Sequence, residues 1–252
     1  MTGPSLSDME RVASRFGVGM EQVRRDHLIS HVLAAIAFDI STDDLVFFGG
    51  TALSRTHLAD ARLSEDIDLM ARIPRGQVAD QIERAVRRGL ARSHGRPTWR
   101  PALTATAGSQ PAVLSVPDGT SVQVQLLGGE GYTWSTEVME VQQRYSDAPP
   151  ARLRVLTADA FAAAKLAAWI DRGTPRDLYD LWAMSERRLI GRSALRVFIS
   201  HGPFGKPPAA WVFARDIDEG EWKRALGHQT RLQVSAREAI AAVREAWLGA
   251  AR

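Results

Sequence analysis

The chain has 252 residues, 45% hydrophobic and 24% charged, the balance of a globular protein that buries a core. It has no cysteine, which excludes disulfides, thiolate metal sites and cysteine nucleophiles, and no apolar run approaching the roughly 20 residues that a membrane span needs. Its 32 basic and 29 acidic residues leave a net charge of +3, which permits a polyanionic partner without demanding one.

The opening stretch, MTGPSLSDMERVASRFGVGM, lacks a basic segment followed by an apolar one, so no secretory leader is expected, and the cysteine-free composition fits a cytoplasmic protein. GMEQVRRDHLISHVLAAIAF has helical apolar spacing at Val23, Leu28, Val32, Leu33 and Ile36. DLVFFGG reads as a short strand ended by glycine, and Thr51 as the cap of a helix running toward Asp60. DIDLMA alternates as a strand, GQVADQIERAVRRGLARS is an amphipathic helix, and AVLSVPDGTSVQVQLL is a hairpin about a Pro-Asp-Gly turn. The proline-rich stretch 146–155 reads as a linker. Beyond it come helices at TADAFAAAKLAAWIDRG, with Thr157 as cap and Gly173 as stop, at TPRDLYDLWAMSERRL, with Pro175 in its first turn, and at SAREAIAAVREAWLGA. The expected organisation is an α/β domain over residues 1–148 and a mostly helical one over 149–252.

Chemistry concentrates between Phe47 and Ala71. On a strand, Asp66 and Asp68 project from one face, about 6–7 Å apart along the chain. Two like charges side by side repel, and a divalent cation between them reverses the sign. Hard Mg²⁺ takes carboxylate oxygens together with substrate phosphates. Ile67 and Leu69 face the other way and anchor the strand. Gly49 and Gly50 let backbone N–H groups approach a phosphate, and Thr51 adds a hydroxyl. Strand, Gly-Gly, helix and Asp-x-Asp strand, in that order, describe a triphosphate cradle facing a metal platform.

The ordered set GGTALSRTH, RLSEDIDL, AAKLAAWIDR and RDLYDLW resembles the AbiEii-type nucleotidyltransferase toxins, the mycobacterial MenT group among them, within the DNA polymerase β-like superfamily. The resemblance implies an α+β fold: a small mixed sheet flanked by helices, with a mostly helical C-terminal half. It implies a toxin of a toxin–antitoxin or abortive-infection system that moves nucleotides from an NTP, with Mg²⁺ (or Mn²⁺), to RNA. In the MenT group the acceptor is the 3′ end of tRNA, which blocks aminoacylation. An antitoxin protein is then a further partner. Residue by residue, Gly49, Gly50 and Thr51 match the family's glycine motif, Asp66 and Asp68 its metal pair, and Arg62 and Ser64 the polar residues before that pair. Lys165 matches the lysine expected on NTP phosphates, and Asp177 and Asp180 the second acidic motif. The later half also admits plain readings, Lys165 as a snorkelling lysine and Asp177 as a helix N-terminal charge.

One departure stands out. Polymerase β-like enzymes carry a third carboxylate on a later strand, and SVQVQLLGG offers Gln123 and Gln125 instead. An amide is neither an anionic ligand nor a base. Asp177 or Glu130 could substitute, and transfer to a protein or small-molecule hydroxyl, or NTP binding without turnover, are the alternatives to RNA transfer.

Three other features bear on function. Residues 83–100 carry six arginines, a solvated helix face or a phosphate-binding patch, with Trp99 among them as a base-stacking candidate. Trp169 and Trp182 suit helix packing. His27 and His31 lie four apart like two zinc ligands, but no third ligand stands at a recognisable spacing, so no zinc site is expected.

Overall fold

The computed structural model describes residues 5–129 and 134–252, which divide into two units, one of residues 5–129 and 137–155 and one of residues 134–136 and 156–252. The first unit contains α1 (Leu6–Phe16), α2 (Met20–Asp39), β1 (Leu45–Phe48), α3 (Gly49–Arg55), β2 (Asp66–Ala71), α4 (Arg75–Leu90), β3 (Thr98–Arg100), β4 (Ala112–Ser115), β5 (Ser121–Gly128) and all but one end residue each of β6 (Thr136–Val141) and β7 (Ala151–Leu156). The strands make one mixed sheet in the order β3-β4-β5-β2-β1-β7-β6. The predicted hairpin is present, β4 pairing antiparallel with β5, and the stretch read as a linker contributes β7 immediately after Pro149 and Pro150.

Register follows from burial. Ile67 and Leu69 are fully buried, as are Val122, Val124 and Leu126 on the neighbouring β5, so the polar residues between them share the opposite face. β2 runs antiparallel to β1, with Phe48 opposite Asp68, and parallel to β5, with Asp66 opposite Gln123 and Asp68 opposite Gln125.

α2 has the expected apolar face, but its polar residues Gln22, Asp26, His27, Ser30 and His31 are buried too. Asp26 is the hub. Its carboxylate accepts from Arg55 at 2.7 Å, Arg144 at 3.0 Å and the Tyr145 hydroxyl at 3.0 Å. Both guanidiniums are also spread over backbone carbonyls, Arg55 on Asp26 and Gln142, and Arg144 on Ser54 and Ala59. Burial pulls Arg144 down to about 10 against the opposing attraction of Asp26, so it stays charged at neutral pH. Burial also pushes the Tyr145 phenol far up, with the Asp26 charge acting in the same direction, and keeps it a hydrogen-bond donor.

The arginine-rich stretch spans α4, the following loop and β3. Arg84 and Arg88 are exposed and paired with Asp80 and Asp39, as a solvated helix face would be. Trp99 is half-buried in β3 with its Nε1 inside the protein.

The second unit contains α5 (Ala158–Arg172), α6 (Pro175–Glu186), α7 (Arg192–His201), α8 (Glu219–Leu226) and α9 (Ala236–Ala250). The end signals act as read: Thr157 accepts from the Ala160 N–H, Gly173 takes the left-handed conformation and Pro175 opens α6; at the start of α9, Ser235 and Glu238 form a reciprocal capping box that the sequence reading did not name. Trp169, Trp222 and Trp247 fill this unit's core, and the indole N–H groups of Trp169 and Trp222 donate to the carbonyls of Val212 and Val234. Among the described residues no helix is long and apolar enough to cross a membrane.

The Asp26 hub generates a stability prediction. Asp26→Asn leaves two buried guanidiniums without their counter-charge, and its expected cost of about 3–5 kcal/mol is measured by urea unfolding.

Candidate active site

β1, α3 and β2 position the predicted residues of the first unit. Gly49 has φ 75°, and a Cβ there would lie 1.9 Å from Asp68 Oδ2. At Gly50 a Cβ would lie 2.9 Å from Arg62 Nη2 and 3.1 Å from Ser64 Oγ. Gly49 is therefore required by close approach and positive φ, where the chain turns over the Asp68 carboxylate, and at Gly50 the backbone passes close to the Arg62 and Ser64 side chains. Gly49, Gly50, Arg62, Ser64 and Asp68 thus come together, with Asp66 on the same face of β2.

Two details differ from the sequence reading. α3 begins at Gly49, so Thr51 lies inside it and Phe48 holds the cap position; the helix also ends at Arg55, well before Asp60. Positive φ at Gly49 starts the helical turn earlier than a threonine cap would. Thr51 is buried, and its hydroxyl donates to the Asp66 carbonyl, tying α3 to β2. Arg62 is buried and donates to the Leu63 carbonyl at 3.1 Å, which fixes its guanidinium next to Gly50.

The residues opposite the two aspartates are glutamines. Gln125, level with Asp68, donates its amide to the Ser109 carbonyl, and Gln123, level with Asp66, is exposed. Asp66 and Gln123 line a cleft of about 330 Å³ with Arg25 and Glu65, which pair at 2.9 Å. Sequence reasoning missed both of those; Glu65 adjoins Asp66, but Arg25 comes from α2 and carries no local signal. Glu130 lies outside the described residues.

In the second unit Lys165 is buried rather than snorkelling. Its Nζ lies 3.2 Å from Asp177 Oδ1 and 2.6 Å from Asp180 Oδ2. Asp177 also accepts from Arg172 Nε at 2.7 Å, Arg172 Nη2 at 2.9 Å and the Thr174 hydroxyl at 2.7 Å. Burial pushes the Asp177 carboxyl up, but the Arg172 hydrogen bonds, the Lys165 charge and the Thr174 hydroxyl outweigh it and hold the group well below the usual carboxylate range. With both oxygens engaged, Asp177 is a counter-ion to Lys165 and not a free base. Asp180 serves the lysine equally.

A carboxylate with a depressed folded pKa contributes stability above its unfolded value near 3.9, and that contribution fades as pH falls through the folded value. The native chain should therefore exceed Asp177→Asn by about 3 kcal/mol from pH 8 to 5, and the gap should narrow below about pH 4. Denaturant unfolding of both proteins across that range checks this.

The chain matches the model of the nucleotidyl transferase AbiEii toxin family, a type IV toxin–antitoxin system, over residues 31–247. A comparison with curated proteins gave no significant match. Among solved structures it is similar to MenT4, a nucleotidyltransferase toxin from Mycobacterium tuberculosis, with 21% identity and a TM-score of 0.72 over 96% of this chain and 88% of that one. It is also similar to a protein from H. pylori assigned as a nucleotidyltransferase, with 12% identity and a TM-score of 0.55 over 92% of this chain and 95% of that one. These likenesses carry the fold, the polymerase β-like nucleotidyltransferase architecture. The family match covers most of the sequence: the chain belongs to the AbiEii nucleotidyltransferase toxin family.

Proposed function

We propose that this chain transfers nucleotides from an NTP to RNA, with the 3′ end of tRNA as acceptor and pyrophosphate as leaving group, and that the transfer blocks translation and arrests growth until a cognate antitoxin neutralises it. Those substrates give it a cytoplasmic setting. The observation that carries the reading is the convergence of Asp66 and Asp68, on one strand face, with the Gly49–Gly50 turn. Two carboxylates are a hard oxygen donor set and fit Mg²⁺, or Mn²⁺ in its place. Such an ion supplies charge neutralisation to triphosphate oxygens.

The chain's own residues then divide the work. Asp66 and Asp68 would hold the ion. Gly49 keeps the space over Asp68 free of a side chain, and Gly50 exposes backbone next to Arg62 and Ser64, a guanidinium and a hydroxyl suited to phosphate oxygens. Thr51 holds the turn to β2. The family resemblance assigns Lys165 to the charge that develops on the leaving pyrophosphate. Asp177 and Asp180 are then its positioning residues: an ammonium has three donors, and they account for two. The attacking hydroxyl must lose its proton without help from Gln125, whose amide cannot accept it.

That last point favours one second reading, an NTP-binding module without turnover. Purified protein is incubated with Mg²⁺, total RNA and each labelled NTP, beside Asp66→Ala and Asp68→Ala. The expected outcome is label in small RNA, reduced by about 10²-fold or more in each variant. Label in protein would instead indicate a protein hydroxyl as acceptor, and bound NTP with no label anywhere would leave the module reading. Gly49→Ala should abolish transfer and cost about 1–3 kcal/mol, because φ 75° and the Asp68 carboxylate both oppose a methyl group.

A further inference from the structure

We propose that His27, His31, His94 and Asp147 form a structural zinc site in the first unit, separate from the Asp66–Asp68 pair. His27 and His31 stand on α2, His94 on the loop after α4, and Asp147 between β6 and β7. One ligand nitrogen from each histidine lies within 4.8 Å of the others. Asp147 Oδ2 lies 3.1 Å from His27 Nε2 and 3.5 Å from His31 Nε2, and His94 Nε2 lies 3.1 Å from His27 Nδ1. A tetrahedral zinc with bonds of about 2.0–2.1 Å needs ligand atoms about 3.3 Å apart, so the widest pair of histidine nitrogens has to close by about 1.5 Å at most; His27 ligates through one nitrogen only, so His94 or Asp147, whichever sits on its other nitrogen, has the larger move to make. Three imidazoles and a carboxylate suit zinc, and four protein ligands leave no open position, the mark of a structural site.

The hydrogen bonds point the same way. A consistent metal-free network has Ser93 Oγ donating to His94 Nδ1, His94 Nε2 donating to His27 Nδ1, and His27 Nε2 donating to Asp147. It accounts for His27 and His94 and omits His31. His31 is 7% exposed, and its Nε2 is buried without a hydrogen-bond partner while facing this cluster. Its contact with Asp147 Oδ2, at 3.5 Å, is an ion-pair distance without hydrogen-bond geometry, and a cation gives that nitrogen a direct ligand bond. The surroundings also suit a ligand set. His94 Nδ1 can donate to Ser93 Oγ once Nε2 binds metal, because a hydroxyl accepts as well as donates. Tyr145 packs edge-on against the His27 ring, at 4.8 Å between centroids, and is itself anchored on Asp26. A cleft of about 390 Å³ reaches His27 and His94 from the surface, and provides an entry path.

The test uses the full chain without a histidine tag, stripped of metal and titrated with zinc against a chromophoric chelator, with Co²⁺ absorption as a second readout. The expected result is one zinc per chain, a tetrahedral Co²⁺ spectrum and a melting temperature several degrees higher with zinc. Affinity should fall by more than about 100-fold in His31→Gln and in His94→Gln, and persist in the Asp66→Asn/Asp68→Asn double variant. His94 lies on a loop, so its variant keeps the test open if His31→Gln does not fold. No bound zinc in the native chain, zinc lost with the aspartate pair, or zinc retained by both histidine variants would each overturn the proposal.

Discussion

The candidate site depends on one steric constraint: the chain after β1 has to cross the carboxylate of Asp68 with no side chain between them. Antiparallel pairing of β1 with β2 puts Phe48 opposite Asp68, so the next residue necessarily passes over that carboxylate. Only a glycine with positive φ fits there. The same turn brings Gly50 beside Arg62 and Ser64. A slip of one residue in the pairing would turn Asp66 and Asp68 into the core and Ile67 and Leu69 outward, so burial of the apolar pair and placement of the acidic pair are one requirement.

The frame holding that register is charged. Asp26, Arg55 and Arg144 join α2, α3 and the segment after β6 in a buried cluster with more donors than a hydrophobic contact has, and Tyr145 completes it. Arg55 ends α3, so the helix that starts at the glycine turn finishes on the hub. Thr51 fastens the middle of the same helix to β2. α3 is too short to be stable through its own backbone hydrogen bonds, and these two polar attachments take the place of length.

What the sequence made legible was local. The glycine pair, the helix and the Asp-x-Asp strand fall within one short segment, and periods of two and 3.6 residues name their elements directly. Helix ends in the second unit were equally plain, because caps act over three or four residues. The charged hub was not legible: its partners stand 29 to 119 positions from Asp26. The buried polar face of α2 had no signal, since periodicity reports which residues are apolar and not which polar residues find partners inside. His94 and Asp147 stand 67 and 120 positions from His27, so no spacing rule could add them to His27 and His31. Lys165 read as a phosphate-binding lysine with a snorkelling surface lysine as the plain alternative, and its burial over two carboxylates of the next helix was visible only in the fold.

The glutamines opposite Asp66 and Asp68 bear on how many ions such a site can hold. Two carboxylates carry two negative charges, and one divalent cation neutralises them. A second divalent cation would leave the same small volume strongly positive, with Arg62 close by, and the repulsion would be paid in a partly buried setting where screening is weak. A third carboxylate is the group that would offset this, and Gln125 instead donates to a backbone carbonyl. The triphosphate is the remaining source of negative charge. Under the proposed metal role, a second ion would belong with the nucleotide and enter with it.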